Sequence, residues 1–306
     1  MMQNVDREIV VRDRFGFLPC EYAIEFEGGT ISPVPNYDEG LALVEQYTHE
    51  DGFLYPPLGW RVNESGEEVP KTRRPAHLHP VTASHELSLH FSGTTENLRR
   101  GPGGIVIHLL AYLFGVRLQF EGWWLDGRVP IRSTHNIHVT KAVVEDFLSY
   151  CYQIWRKWPE RNQKLISNLL FMHSRAPSYE WDWERFMIEY MVVDGCWKLF
   201  EYVGKNEYVG KKKPGHGDRI KILCHKWNIP ADNTLIDSIV TLRKYLFHET
   251  IWDGSQPCTG VSSEAFMQAY NLRRLNQRLI PALLGYNNSY VRTSWWALGT
   301  CLFEKP

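Results

Sequence analysis

The stretch NTLIDSIVTLRKYLFHETIW, Asn233 to Trp252, decides how the second half of this 306-residue chain is read. Asp232 or Asn233 offers an N-cap, and Gly254 follows as a stop. At about 100° per residue, Leu235, Ile236, Ile239, Val240, Leu242, Leu246, Phe247 and Ile251 fall on one arc of a helix. Arg243 lies near the middle of that arc, where a guanidinium is unfavourable unless it is paired or opens into a site. Asp237, Thr241, Lys244 and His248 form the opposite, polar stripe. His248 falls about one turn before the helix ends, where the dipole favours a positive charge. Two readings stay open. Arg243 and His248 can form a catalytic pair, or Arg243 can be the structural ion-pair partner of Asp194 and His248 a surface residue.

Outward from this helix, the chain has two textures. Up to residue 137 it reads mainly as strand and turn: Glu8–Val11, Tyr22–Phe26, Glu86–Phe91 and Val116–Phe120 are short and rich in alternating apolar residues. Gly28-Gly29, Pro33-Val34-Pro35, Pro56-Pro57 and Gly101-Pro102-Gly103-Gly104 break them up. Residues 105–115 suit either a short helix or a buried strand. From about Val139 the period becomes helical: Lys141–Trp158, Arg161–His173, Tyr179–Val203, Asp218–Trp227, Asn233–Trp252 and Ser263–Leu284. Tyr179–Val203 is apolar on nearly every face and reads as the central helix of a bundle. The expectation is an α+β protein, with a β-rich domain over 1–137 and an all-α bundle over 138–306.

Charge divides along the same line. The first part has 12 Lys and Arg against 18 Asp and Glu, and the second 22 against 17, giving −6 and +5. Only the second could attract a nucleic-acid backbone. The six cysteines are too widely spaced for a zinc ribbon or redox motif and read as reduced thiols. The start is too charged for a signal peptide, and the apolar run Gly104–Val116 is too short for a membrane span, so a cytoplasmic protein with no membrane partner is expected. In His77–His90, His85-Glu86 followed by His90 is one residue too long for the H-E-x-x-H zinc motif, and the segment alternates like a strand. No metal and no other cofactor is expected.

Arg243-Lys244-Tyr245-Leu246-Phe247-His248 resembles the R-x4-6-H signature of HEPN domains. Its company resembles the Apea-like branch: Gly217-Asp218-Arg219-Ile220 opening the preceding helix, Leu242-Arg243 leading into Leu246-Phe247-His248-Glu249, then Trp252, Gly254 and Leu284-Gly285-Tyr286. The resemblance spans about Lys141 to Tyr290. It implies a metal-independent endoribonuclease of a defence or toxin system, acting as a homodimer on an RNA such as tRNA or mRNA. Arg243 and His248 carry over as the catalytic pair. Lys244 stands where the family most often has Asn, which favours an alternative: a non-catalytic module that dimerises or binds RNA, with the first domain sensing a trigger or binding an unknown partner. The chemistry suits the residue types, since RNA carries its own 2′-hydroxyl nucleophile, His248 can move protons and Arg243 can clamp phosphate.

Further substrate contacts are expected from Lys244, from the loop lysines Lys211, Lys212 and Lys213, and from Arg274 and Arg278, which share a helical face. On an ideal helix Arg243 and His248 are about 140° apart. That separation predicts that two copies packed across a two-fold axis bring an Arg and a His together.

Overall fold

The computed structural model describes residues 10–55, 65–68, 70, 78–79, 81–91, 93–204, 213–252, 263–297 and 299–306. The protein is mixed α and β, with a small five-stranded antiparallel sheet. It divides into two compact units: Met1–His135 with Val144–Tyr152, and Asn136–Val143 with Gln153–Pro306.

In the first unit, strands β1 (Val10–Gly16), β2 (Ile24–Phe26), β3 (Gly29–Pro33), β6 (His85–His90) and β7 (Gln119–Phe120) form the sheet, in the order β2-β3-β6-β1-β7. Every pairing in it is antiparallel. Alternation sets the register: His85, Leu87 and Leu89 are buried while His90 is exposed, as a period of two requires. The two-residue strands β4 (Phe53–Leu54), β5 (Leu78–His79), β8 (Leu125–Asp126) and β9 (Val129–Pro130) add small ladders, β4 with β9 and β5 with β8.

This unit is less purely β than its texture predicts. Helices α1 (Tyr37–Tyr47), α2 (Thr95–Arg100) and α3 (Pro102–Phe114) interrupt the strands. In α1, Tyr37, Gly40 and Val44 are its only buried positions, so a narrow stripe on a short, acidic segment carries the helix. Thr94 and Asn97 form a reciprocal capping box that starts α2. The open choice at 105–115 resolves as helix. Pro102 sits in the first turn, and Gly115 closes α3 at φ 65, a left-handed value that glycine adopts freely.

The second unit holds most of the remaining helices. These are α4 (Lys141–Lys157), whose Val144–Tyr152 stretch belongs to the first unit, α5 (Glu160–Arg175), α6 (Asp182–Val203), α7 (His216–Lys226), α8 (Asn233–Glu249) and α9 (Ser263–Leu283). A parallel pair, β10 (Ile137–His138) with β11 (Cys301–Leu302), ties its ends. Helix α6 buries Phe186, Tyr190, Val193, Cys196, Trp197 and Phe200, but it shares the centre with α9, which is buried without a break from Asn271 to its end at Leu283. Helix α5 lies so close to α6 that a Cβ on Gly195 would stand 2.3 Å from Leu169 Cδ2.

Between α5, α6 and α9 lies a polar knot. Glu189 is 1% exposed and accepts from His173 Nδ1 at 2.9 Å, Arg273 Nη1 at 2.8 Å and Asn276 Nδ2 at 2.8 Å. Burial alone would raise its carboxyl pKa, but these three contacts overcome burial and hold it below the usual value. Burial, with Arg273, lowers His173. The knot therefore holds an ionised Glu189 against Arg273, with a neutral imidazole donating from Nδ1.

Candidate active site

Helix α8 begins where Asp232 accepts a hydrogen bond from the Leu235 amide, so Asp232 is the cap. It ends at Glu249 and not at Trp252. Thr250 adopts a left-handed φ of 59°, and the Ile251 amide turns back to the Tyr245 carbonyl at 3.2 Å. Trp252 then drops into the core, 5.3 Å from the Phe186 ring. Gly254 lies outside the described residues. His248 is consequently in the last turn, on the exposed stripe with Asp237, Thr241 and Lys244.

The buried stripe of α8 is narrower than its apolar arc. Ile236, Ile239, Leu242 and Leu246 are buried, Val240 is half-buried, and Phe247 and Ile251 are exposed. Arg243 is half-buried at the edge of this stripe, not at its centre, which is why the helix tolerates a cation there. Its guanidinium carbon lies 5.0 Å from the Phe247 ring and 5.7 Å from the Tyr190 ring.

Arg243 Nη1 reaches His248 Nε2 at 3.1 Å within one chain. The ideal-helix separation led to the expectation that two copies packed across a two-fold axis bring an Arg and a His together. A four-bond side chain crosses that angle, so the pair is complete in a single copy. Arginine has no acceptor, so a hydrogen bond across this contact needs Nε2 as the accepting nitrogen.

Asp194 does not pair with Arg243 as the structural alternative expected. It lies 3.4 Å from His216 Nδ1 and 3.6 Å from Arg219 Nη1. His216 and Arg219, three residues apart on α7, thus face α6 from the first turn of their helix. Burial lowers the His216 pKa, with Arg243 and Arg219 adding to the effect and Asp194 opposing it. Burial, then Asp194, raises the Tyr190 phenol. Tyr190 and His216 were missed because a lone Tyr on an apolar helix reads as core. Arg219 was noted only as part of the helix-opening resemblance. The available signal was the i, i+3 pair of basic side chains directly after Gly215.

The expected phosphate contacts separate into three groups. Lys244 and Lys213 are exposed. Lys211 and Lys212 lie outside the described residues. Arg274 and Arg278 are interior, contrary to expectation. Arg278 is 0% exposed and donates to the carbonyls of Arg274, Thr293 and Ser294 and to the hydroxyls of Thr293 and Tyr290. Arg274 is 6% exposed, beside the Tyr270 ring. Sharing a face placed them together, but that face points inward.

Among the described residues, no group of three or more His, Cys, Asp or Glu is placed to hold a metal ion, and no helix is long and apolar enough to cross a membrane. Compared with known proteins, the chain matches no family model, no curated protein and no solved structure.

Proposed function

We propose that the second unit is a metal-independent endoribonuclease of HEPN type, cutting RNA at the Arg243–His248 pair. The observation that carries this reading is the 3.1 Å contact between Arg243 Nη1 and His248 Nε2 on the solvent side of α8. The base form of His248 takes the 2′-hydroxyl proton, and the 2′-oxygen attacks the adjacent phosphorus. The bond from phosphorus to the 5′-oxygen breaks, and that oxygen receives the proton that His248 took from the 2′-hydroxyl. Arg243 moves its N–H groups from His248 to the non-bridging oxygens, where charge accumulates. The products are a 2′,3′-cyclic phosphate and a 5′-hydroxyl. Exposed Lys244, four residues from His248, holds a neighbouring phosphate as a point charge. The role suits a toxin or a phage-defence effector. A pair complete in one chain removes the need for a dimer to assemble it.

Lys244 also favours a second reading, in which the helix binds RNA without cutting it. Incubating the full chain with an RNA and with the same oligonucleotide carrying a single 2′-deoxyribose at the cleavage position separates the two. The nuclease reading expects cleavage of the first in EDTA, with cyclic-phosphate ends, and none at the 2′-deoxy position of the second. Binding of both with cleavage of neither establishes the second reading instead.

A further inference from the structure

Tyr190 is 1% exposed, and its hydroxyl has no hydrogen-bond partner among the described residues. An orphaned buried hydroxyl is unfavourable and calls for a reason. Arg243 Nε is likewise buried and unpartnered. These two groups belong to one cluster. The Tyr190 ring centroid lies 5.8 Å from that of His216, and the Arg243 guanidinium carbon lies 5.7 Å from the Tyr190 ring. Arg219 approaches from α7 through its 3.6 Å contact with Asp194.

Arg219 is balanced by Asp194 and Glu201, whereas Arg243 has no carboxylate partner among the described residues. His216 is also the first residue of α7, an 11-residue helix whose N-cap, Gly215, offers no side chain to its first-turn amides. A helix start with free amides favours an anion. Asp218, the acidic residue of that turn, is exposed. The cluster thus leaves two donors without acceptors, the Tyr190 hydroxyl and Arg243 Nε, beside a helix start, and the oxygens of a phosphate are acceptors of the matching charge.

We propose that Tyr190, His216, Arg219 and Arg243 form a binding subsite for one phosphate oxyanion, beside the Arg243–His248 pair. Its occupant is either free phosphate or a backbone phosphate of RNA next to the one being cut. The second source rests on the nuclease reading above, whereas the subsite itself does not.

The test is titration of the full chain with inorganic phosphate, followed by calorimetry and by the ring resonances of His216. Phosphate should bind and shift those resonances. Tyr190→Phe and His216→Gln should each weaken binding about tenfold, the equivalent of one hydrogen bond to a charged group. Tyr190→Phe keeps the ring and removes only an unpaired hydroxyl, so its circular dichroism should match that of the unmodified chain. Phosphate that leaves the His216 resonances unmoved, or that binds Tyr190→Phe as tightly as the unmodified chain, overturns the proposal. A 2′-O-methyl RNA that displaces the phosphate identifies the backbone as the occupant, and one that leaves it bound identifies free phosphate. Phosphate binding with these dependences, in a protein that does not cut RNA, sinks the nuclease reading and leaves the subsite standing.

Discussion

Arg243 on α8 and Arg278 on α9 are both arginines set among apolar residues of a long helix, and their surroundings differ completely. Arg278 is wholly enclosed and held by carbonyl and hydroxyl oxygens of its own helix and of the 290–294 segment. Arg243 lies at the edge of a buried stripe, with Nη1 turned to an exposed imidazole and Nε left unpartnered. The first arrangement uses up the guanidinium's donors, which is what a fold requires of a buried cation. The second leaves a donor, Nε, without an acceptor, which is what a ligand requires. Burial of neighbours does not distinguish the two; the acceptors within reach do.

The largest expected effect breaks this comparison if it fails. Arg278→Met removes five donated hydrogen bonds and strands their acceptors, so it should destabilise the second unit by about 4–5 kcal/mol in urea unfolding. Arg243→Met should change stability by no more than about 1 kcal/mol. Equal losses in the two variants would show that Arg243 is a structural cation as well.

Glu189→Gln sharpens the contrast within the interior. It leaves Arg273 enclosed without its carboxylate partner, and the expected loss is about 3–4 kcal/mol. Unfolding of the variant near the wild-type midpoint would mean that the knot contributes nothing through charge.

Histidines divide in the same way. His85 is 0% exposed, and burial lowers its pKa from 6.5 to about 4, whereas His248 is exposed. Between those two values the unfolded chain binds a proton at His85 that the folded chain refuses. The stability contributed by neutral His85 is therefore complete above about pH 6.5 and is lost as the pH falls toward 4, by roughly 3 kcal/mol. Urea unfolding across that range should give a shallower pH slope for His85→Phe than for the unmodified chain. Identical slopes would refute the assignment.

Much of the helical half was legible because its period is long and punctuated. The run expected over Lys141–Trp158 is α4 at Lys141–Lys157, and the run expected over Ser263–Leu284 is α9 at Ser263–Leu283. Three things were not legible. Helix α8 ends on a threonine in a left-handed conformation, which leaves no glycine to mark the stop. Helix α1 buries too few residues to announce a period. Helix α9 is rich in Asn, Gln and Arg yet enclosed, because its polar groups bond to α5, α6 and the chain that follows it; composition records polarity but not where the partners are. At the candidate site, Arg243 and His248 could be named from one helix. Tyr190, Asp194, His216 and Arg219 come from two others, and only the fold brings them near.

His248 is exposed, and its described contact is with Arg243, so its loss should leave the fold intact and remove the proposed chemistry. The most direct measurement is the rate of RNA cleavage in EDTA by the unmodified chain and by His248→Ala, each at the same fraction folded. Stability should differ by less than about 0.5 kcal/mol between them. The unmodified chain should cleave, leaving a 2′,3′-cyclic phosphate, and His248→Ala should cleave at least about a hundredfold more slowly. A His248→Ala chain that cuts as fast as the unmodified one, or an unmodified chain that cuts only after zinc or magnesium is restored, would contradict the nuclease reading.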